Sequence, residues 1–292
     1  MKVLVFGAGG VVGQHMMHQA PEEVEPIYTR TLGDDRYCKF IYGEDSINEF
    51  LDFHRPNLII NLAGENRVDI VESSPERFYD INVLMPSEIV EWCNRNQSYL
   101  IQCSTQAVFS GNNPPYSPLD PVDPINKYGE QKSKAEDIVL KYSKSLVARL
   151  TFVLGARYFT EIGRRNPFED IMEKDNQLQV DDRFFSPLFA HDAASSLWDL
   201  SLNYLNWSKK IVHLGHPTRC TRFSIASDTK YHLHGILDAK IMGVSHEYFS
   251  GLAQRAYDTT WAYEDCMYSG KYEENLLTAF TIWSKINDKD RR

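Results

Sequence analysis

The chain has 292 residues, 42% hydrophobic and 24% charged, the make-up of an ordinary globular protein of one or two domains. With 31 Lys and Arg against 40 Asp and Glu, its net charge of −9 argues against nucleic acid or an anionic membrane as the main partner. No run approaches the ~18 apolar residues of a membrane helix.

The predicted elements alternate along the chain. Residues 2–6 form a short apolar run closed by glycine, read as a buried strand, and 11–19 follow as a helix. The opening run is too short for a signal peptide. Residues 26–29 are a weak second strand, 46–54 a helix closed by Arg55-Pro56, and 57–62 a strong buried strand. Residues 74–95 read as one long helix with Pro75 in its first turn, and 99–103 as a strand. A helix over 125–143 and a strand over 145–150 complete the pattern. Such alternation predicts an α/β, Rossmann-type, doubly wound parallel sheet with right-handed crossovers. Ligands of such a sheet bind at the strand carboxyl ends. Beyond residue 150 loops, aromatics and prolines increase. The expected division is therefore a dinucleotide-binding domain over 1–150 and a smaller substrate-binding lobe over 151–292, partly interleaved with the sheet.

The first strand ends in Gly7-Ala8-Gly9-Gly10-Val11-Val12-Gly13. Between strand and helix, the G-x-x-G-x-x-G spacing fits a dinucleotide turn. Gly7 allows the turn, Gly10 the approach of a pyrophosphate, and Gly13 the packing of helix on strand. The helix N-terminus, at Val11 and Val12, would face the phosphates. An unliganded glycine turn is the plain alternative. Where an NAD-preferring site carries a carboxylate after the second strand, this chain has Arg30. Arg30 suits a 2′-phosphate, so NADP(H) is expected and NAD(H) is kept as the alternative.

Tyr128 and Lys132 stand four apart on a predicted helix, on one face. The lysine charge would lower the phenol pKa and make a proton donor and acceptor usable near neutral pH. The pair alone is a weak signal. It gains weight because the glycine turn and Ser104-Thr105, at a strand end, precede it.

With Thr105, Tyr128 and Lys132 in this order, the chain resembles the extended short-chain dehydrogenases/reductases. Within them it is most similar to the dTDP-4-dehydrorhamnose reductases. Arg55-Pro56-Asn57, Asn61 to Gly64, Val68-Asp69 with Glu72, and Ser104 to Gly111 carry the likeness. So do Asn166-Pro167-Phe168, Asp182, Ser186-Pro187, His213-Leu214 and Arg222-Phe223. The resemblance implies hydride transfer to a keto carbon of a nucleotide-linked deoxysugar. It implies Tyr128 as proton donor, Lys132 on the nicotinamide ribose, and Thr105 on the carbonyl. Ala63 and Gly64 would line the cofactor, and Gln106 and Phe152 the substrate.

The chain departs from the family at Gln106-Ala107, where the reductases carry Asp-Tyr. It departs also at Phe40, Phe152, Leu188 and Ala256. Cofactor positions are kept better than substrate positions, as in a reductase for a different sugar. Two other readings stay open. One is a sugar-nucleotide epimerase or dehydratase. The other is a non-catalytic subunit that binds NADP and a partner enzyme. A homodimer is open as well. The five cysteines (Cys38, Cys93, Cys103, Cys220 and Cys266) are odd in number, without C-x-x-C, and suggest a reduced, cytoplasmic setting. His232-Leu233-His234, His213 and His216 lack the spacing of a metal site, so no metal is expected.

Overall fold

A computed structural model describes residues 1–233, 239–249 and 251–289; His234 of the His232-Leu233-His234 motif lies outside them. The sequence begins with β1 (Lys2–Phe6), α1 (Val11–His18), β2 (Glu25–Arg30) and β3 (Cys38–Lys39). It continues with α2 (Ile47–His54), β4 (Leu58–Asn61), α3 (Val68–Ser73), α4 (Pro75–Tyr79) and α5 (Met85–Asn96). Then come β5 (Tyr99–Thr105), α6 (Lys127–Val139), β6 (Ser145–Leu150) and β7 (Phe152–Leu154). α7 (Pro167–Glu173), β8 (Asn176–Val180), β9 (Phe184–Phe185), β10 (Pro187–Phe189) and α8 (Ala190–Leu202) follow. The remainder is β11 (Ile211–Leu214), α9 (Arg222–His232), β12 (Lys240–Val244), β13 (Asp258–Thr259), β14 (Cys266–Met267) and α10 (Tyr272–Lys289).

Eight strands form one parallel sheet in the order β14-β11-β6-β5-β4-β1-β2-β3. The winding reverses between β1 and β4, and that switch point opens the crevice in which a doubly wound sheet takes its ligand. Alternation along β1 sends Val3 and Val5 to one face and Leu4 and Phe6 to the other. The first face packs on Val12 and Met16 of α1 and on Leu197 and Trp198 of α8. The second packs on Leu51 of α2 and on Ile89 and Trp92 of α5. Burial on both faces explains the unbroken apolar runs of the central strands. A further core joins Leu154, Phe168, Phe189, Ile225 and Leu276, from β7, α7, β10, α9 and α10. Strands from after residue 150, β11 and β14, return to the main sheet.

Two helices differ from the sequence expectation. The long helix over 74–95 is divided by a π turn over Asp80–Leu84, in which the Met85 N–H donates to the Asp80 carbonyl. Pro86 has no N–H for the regular ladder, and the ladder widens just before it. The helix expected over 125–143 starts at Lys127, where the Asn126 side chain caps the Gly129 N–H at 2.8 Å. It ends at Val139, whose carbonyl lies 2.7 Å from the Ser145 hydroxyl. No helix among the described residues is long and apolar enough to cross a membrane.

Candidate active site

Parallel registers bring three strand ends to one rim. Phe6 pairs with Asn61, and Asn61 with Gln102. The turn after β1, the loop after β4 and the end of β5 are therefore neighbours. In the first, Gly7 has φ +74°, and a Cβ there would lie 2.7 Å from the Ala63 backbone nitrogen. A Cβ on Gly13 would overlap Ala8. Gly10 differs: its backbone is extended, and a Cβ would meet only the Gly7 carbonyl, at 3.6 Å. The chain's own packing explains Gly7 and Gly13. Gly10 instead leaves room at the helix N-terminus, beside Val11 and the buried Val12.

Arg30 ends β2, with its side chain largely covered. Its aliphatic stem packs on Gly9, its guanidinium lies 5.4 Å from the Tyr37 ring, and the Asp34 carboxylate is 3.9 Å away. Arg36 flanks the same ring at 5.8 Å. Arg30 stands across β1 and β4 from the end of β5 that carries Thr105, apart from the Thr105, Tyr128 and Lys132 cluster.

After β4, the buried Asn61 donates to Gln102 Oε1 at 2.9 Å and accepts the Ala63 N–H at 3.1 Å. Gly64 follows, and Asn82 of the π turn holds the backbone of Glu65 through its N–H at 3.0 Å and its carbonyl at 3.2 Å. Asn82 also donates to Gln131 Oε1, at 2.8 Å, on α6 between Tyr128 and Lys132.

Thr105 closes β5. Its hydroxyl accepts the Ala107 N–H at 3.1 Å, which leaves the hydroxyl proton to be donated. Tyr128 and Lys132 are both buried on one face of α6. The Lys132 ammonium donates to the Cys103 carbonyl at 2.8 Å. Burial pushes its pKa down, while the charges of Cys103 and Glu136 push it back up. Glu136 is itself tied to the buried Arg149 by contacts of 2.7 and 3.0 Å. The Tyr128 phenol runs against expectation. Burial pushes its pKa up to about 12, the Thr105 side chain pulls the other way, and the Glu65 charge adds to the rise. The cost of burying a phenolate prevails.

Gln106 is half-buried directly after Thr105. The Thr151 hydroxyl lies 2.5 Å from both Gln106 Oε1 and the Ser186 carbonyl, so one proton is shared between two acceptors. Thr151 thereby links Gln106 to Phe152, whose ring packs 4.8 Å from Phe185 with the Arg222 guanidinium 5.6 Å above it.

Several groups escaped the sequence reading. Glu65 is mostly covered and is gripped by Arg67 through Nε at 3.0 Å and a second nitrogen at 2.5 Å, with Arg164 at 3.5 Å. Burial works against its carboxylate, but the two guanidiniums outweigh burial and keep its pKa low. Arg183 has a buried Nε without a hydrogen-bond partner, and burial lowers its pKa. The signal available for Glu65 was a lone carboxylate after the loop glycine; Arg183 and Arg164 had no spacing to mark them. Among the described residues no group of three or more His, Cys, Asp or Glu gathers as for a metal. His213 is buried against Trp261 at 3.8 Å, and His216 Nδ1 meets the Thr218 hydroxyl at 2.7 Å.

The family model described as the RmlD substrate binding domain matches residues 1–273. The dTDP-4-dehydrorhamnose reductase of Escherichia coli (strain K12) is 28% identical over 194 residues, 64% of this chain and 62% of the relative. Methionine adenosyltransferase 2 subunit beta of Danio rerio is 29% identical over 159 residues, 53% of this chain and 48% of the relative. The chain thus spans less than two thirds of these relatives' length. Among solved structures, dTDP-4-dehydrorhamnose reductase from Bacillus anthracis str. Ames, in complex with NADP, superposes with a TM-score of 0.81. Its identity is 20%, and the match covers 96% of this chain and 98% of that one.

Proposed function

The chain belongs to the family of the RmlD substrate binding domain, and from that premise we propose that it is an NADPH-dependent reductase of a nucleotide-linked 4-keto-6-deoxysugar. The observation that carries the reading is the convergence of Thr105, Tyr128 and Lys132 at the carboxyl end of β5, beside the switch-point crevice. The uncrowded space at Gly10, before the first turn of α1, fits a dinucleotide pyrophosphate. The NADP held by the Bacillus anthracis relative supports the same choice. Gly7, Gly10, Val11, Val12, Gly13, Ala63 and Gly64 would hold the cofactor, with Arg30 on the 2′-phosphate and Lys132 on the ribose.

When bound, the nicotinamide supplies the hydride. The Thr105 hydroxyl donates to the substrate carbonyl oxygen, where negative charge develops. Tyr128 gives its proton to that oxygen, and solvent restores the phenol. Its raised pKa keeps it protonated and ready to donate. Lys132 carries three donors and uses one on Cys103, leaving two for ribose hydroxyls. Gln106 and Phe152 meet the sugar, and Arg183 and Arg222 meet the diphosphate. The division of labour belongs to the proposal: residues 1–150 hold the cofactor and 151–292 the substrate. A reducing, cytoplasmic setting is supported by five free cysteines.

The test is NADPH consumption with a panel of nucleotide-linked 4-keto-6-deoxysugars, wild type beside Tyr128→Phe. Turnover lost in the variant supports the reductase. A co-purified cofactor that does not exchange favours an epimerase instead. The likeness to methionine adenosyltransferase 2 subunit beta favours a second reading, a non-catalytic NADP-binding subunit. Tight NADPH binding without turnover on any sugar would move the proposal there.

A further inference from the structure

Residues 159–164 lie far from the glycine turn in sequence and against it in space. A Cβ on Gly163, at φ +75°, would sit 2.8 Å from the Gly9 carbonyl. A Cβ on Gly9 would be 3.3 Å from Ile162. Gln14, on α1 and fully buried, joins the two segments. Its Nε2 donates to Gly9 O at 3.0 Å and Ile162 O at 3.4 Å, and its Oε1 accepts the Phe159 N–H at 2.9 Å.

The segment is a built structure. The buried Arg157 guanidinium donates to the carbonyls of Thr160, Ile162 and Gly163, at 2.9, 3.2 and 3.2 Å. Glu169 holds the same guanidinium at 2.9 and 3.1 Å. From this frame two side chains reach outward. Glu161 takes Arg36 at 3.3 Å, on the segment between β2 and β3, and the Arg36 guanidinium also covers the Phe159 ring at 4.1 Å. Arg164 donates to Asn66 Oδ1 at 2.5 Å and lies 3.5 Å from Glu65, in the loop after β4.

The segment is therefore fastened to the turn after β1, the connection after β2 and the loop after β4. Those three walls surround the crevice at the switch point. We infer that residues 159–164 are a strap across the dinucleotide crevice, with Arg164 and Glu161 as its clasps, and that their release sets the rate at which the cofactor leaves. The inference rests on the reading that this crevice takes a dinucleotide. Arg157 and Gln14 keep the strap's shape, while the clasps are half-exposed ion pairs, weak enough to open. A strap that opens in this way suits a cofactor that must be exchanged in each cycle.

The experiment is displacement of NADPH, followed by its own fluorescence in stopped flow, with excess NADP as competitor. Arg164→Ala should release NADPH about threefold faster, and the double variant Glu161→Ala/Arg164→Ala about tenfold faster, with association changed less than about twofold. Arg165→Ala is the control. Arg165 neighbours the clasp but pairs with Asp170 and Glu173, at 2.7 and 2.5 Å, and its variant should release at the wild-type rate. A wild-type release rate in the double variant overturns the strap, as does equal acceleration by Arg165→Ala. Absence of any NADPH or NADH binding by the wild type overturns the dinucleotide reading itself, and the strap with it.

Discussion

The Lys132 ammonium donates to the carbonyl oxygen of Cys103 at 2.8 Å, beneath the end of the strand that carries Thr105. This bond fixes a flexible side chain in a buried position, one turn before Glu136 on the same helix, which pairs with Arg149 of β6. Tyr128 is pushed up to about 12 by burial, and a phenol of that kind is a proton donor throughout the neutral range.

The sign of the pH dependence follows. Below its pKa the phenol is protonated, so the acid needed for carbonyl reduction is present from about pH 6 to about pH 9. In that window kcat/KM for reduction should be flat in any limb assigned to Tyr128. A loss of rate toward base in wild type, absent in a variant lacking the phenol, would show a lower pKa. Tyr128→Phe should lower kcat about 10²- to 10⁴-fold and leave the NADPH dissociation constant within about twofold, measured by steady-state kinetics and fluorescence titration.

Gly10 and Gly13 separate binding from folding. A methyl at position 13 overlaps Ala8, so Gly13→Ala should cost about 1–3 kcal/mol in urea unfolding. A methyl at position 10 meets only one carbonyl, at 3.6 Å, on extended backbone. Gly10→Ala should therefore unfold within about 0.5 kcal/mol of wild type. Its NADPH affinity should fall roughly tenfold or more, because the methyl occupies the approach to the pyrophosphate. Full affinity in a stable Gly10→Ala protein would refute the phosphate site.

Arg30 is the test of cofactor choice. Its guanidinium is partly neutralised by Asp34 at 3.9 Å and steadied over Tyr37 at 5.4 Å, an arrangement a 2′-phosphate would strengthen. Arg30→Ala should weaken NADPH about tenfold and leave NADH unchanged, by fluorescence titration. Equal effects on the two would remove the 2′-phosphate from its role.

These residues differ in how far the sequence announces them. The glycine turn, Thr105 and the Tyr128–Lys132 pair are local patterns, set by a strand end, a helix start and a four-residue spacing. The strand sequence was readable because burial on both faces leaves unbroken apolar runs such as Leu58 to Ile60. The π turn hid inside an apparently continuous helical pattern, although Pro86 marked its place. The groups that join distant segments left no such trace. Glu65 meets Arg164 across 99 positions of sequence, and Gln14 meets Phe159 across 145. Nothing in the spacing of either partner names the other. The rise in the Tyr128 pKa was missed for the same reason: it depends on how deeply α6 is covered, which the helix's own sequence does not state.

Two buried histidines predict how the fold responds to acid. His213 lies against Trp261 and 3.3 Å from the Arg149 guanidinium; burial and that charge hold its pKa down at about 3. His15, buried beside the Ala156 carbonyl at 2.9 Å, is held at about 4, mainly by burial. The unfolded chain takes up these protons near pH 6.5, whereas the folded protein refuses them until far lower. Stability is then complete above pH 6.5 and is lost as pH falls from 6.5 toward 3, by about 2 kcal/mol per histidine at pH 5. Urea unfolding of wild type at pH 7 and pH 5 should show this loss. His213→Phe keeps an aromatic ring on Trp261 but has no proton to take up. Whatever its stability at pH 7, its loss between the two pH values should be smaller than that of wild type by about 2 kcal/mol. An unchanged difference would mean that His213 is charged in the folded protein, and that Arg149 and the Trp261 stack do not exclude its proton.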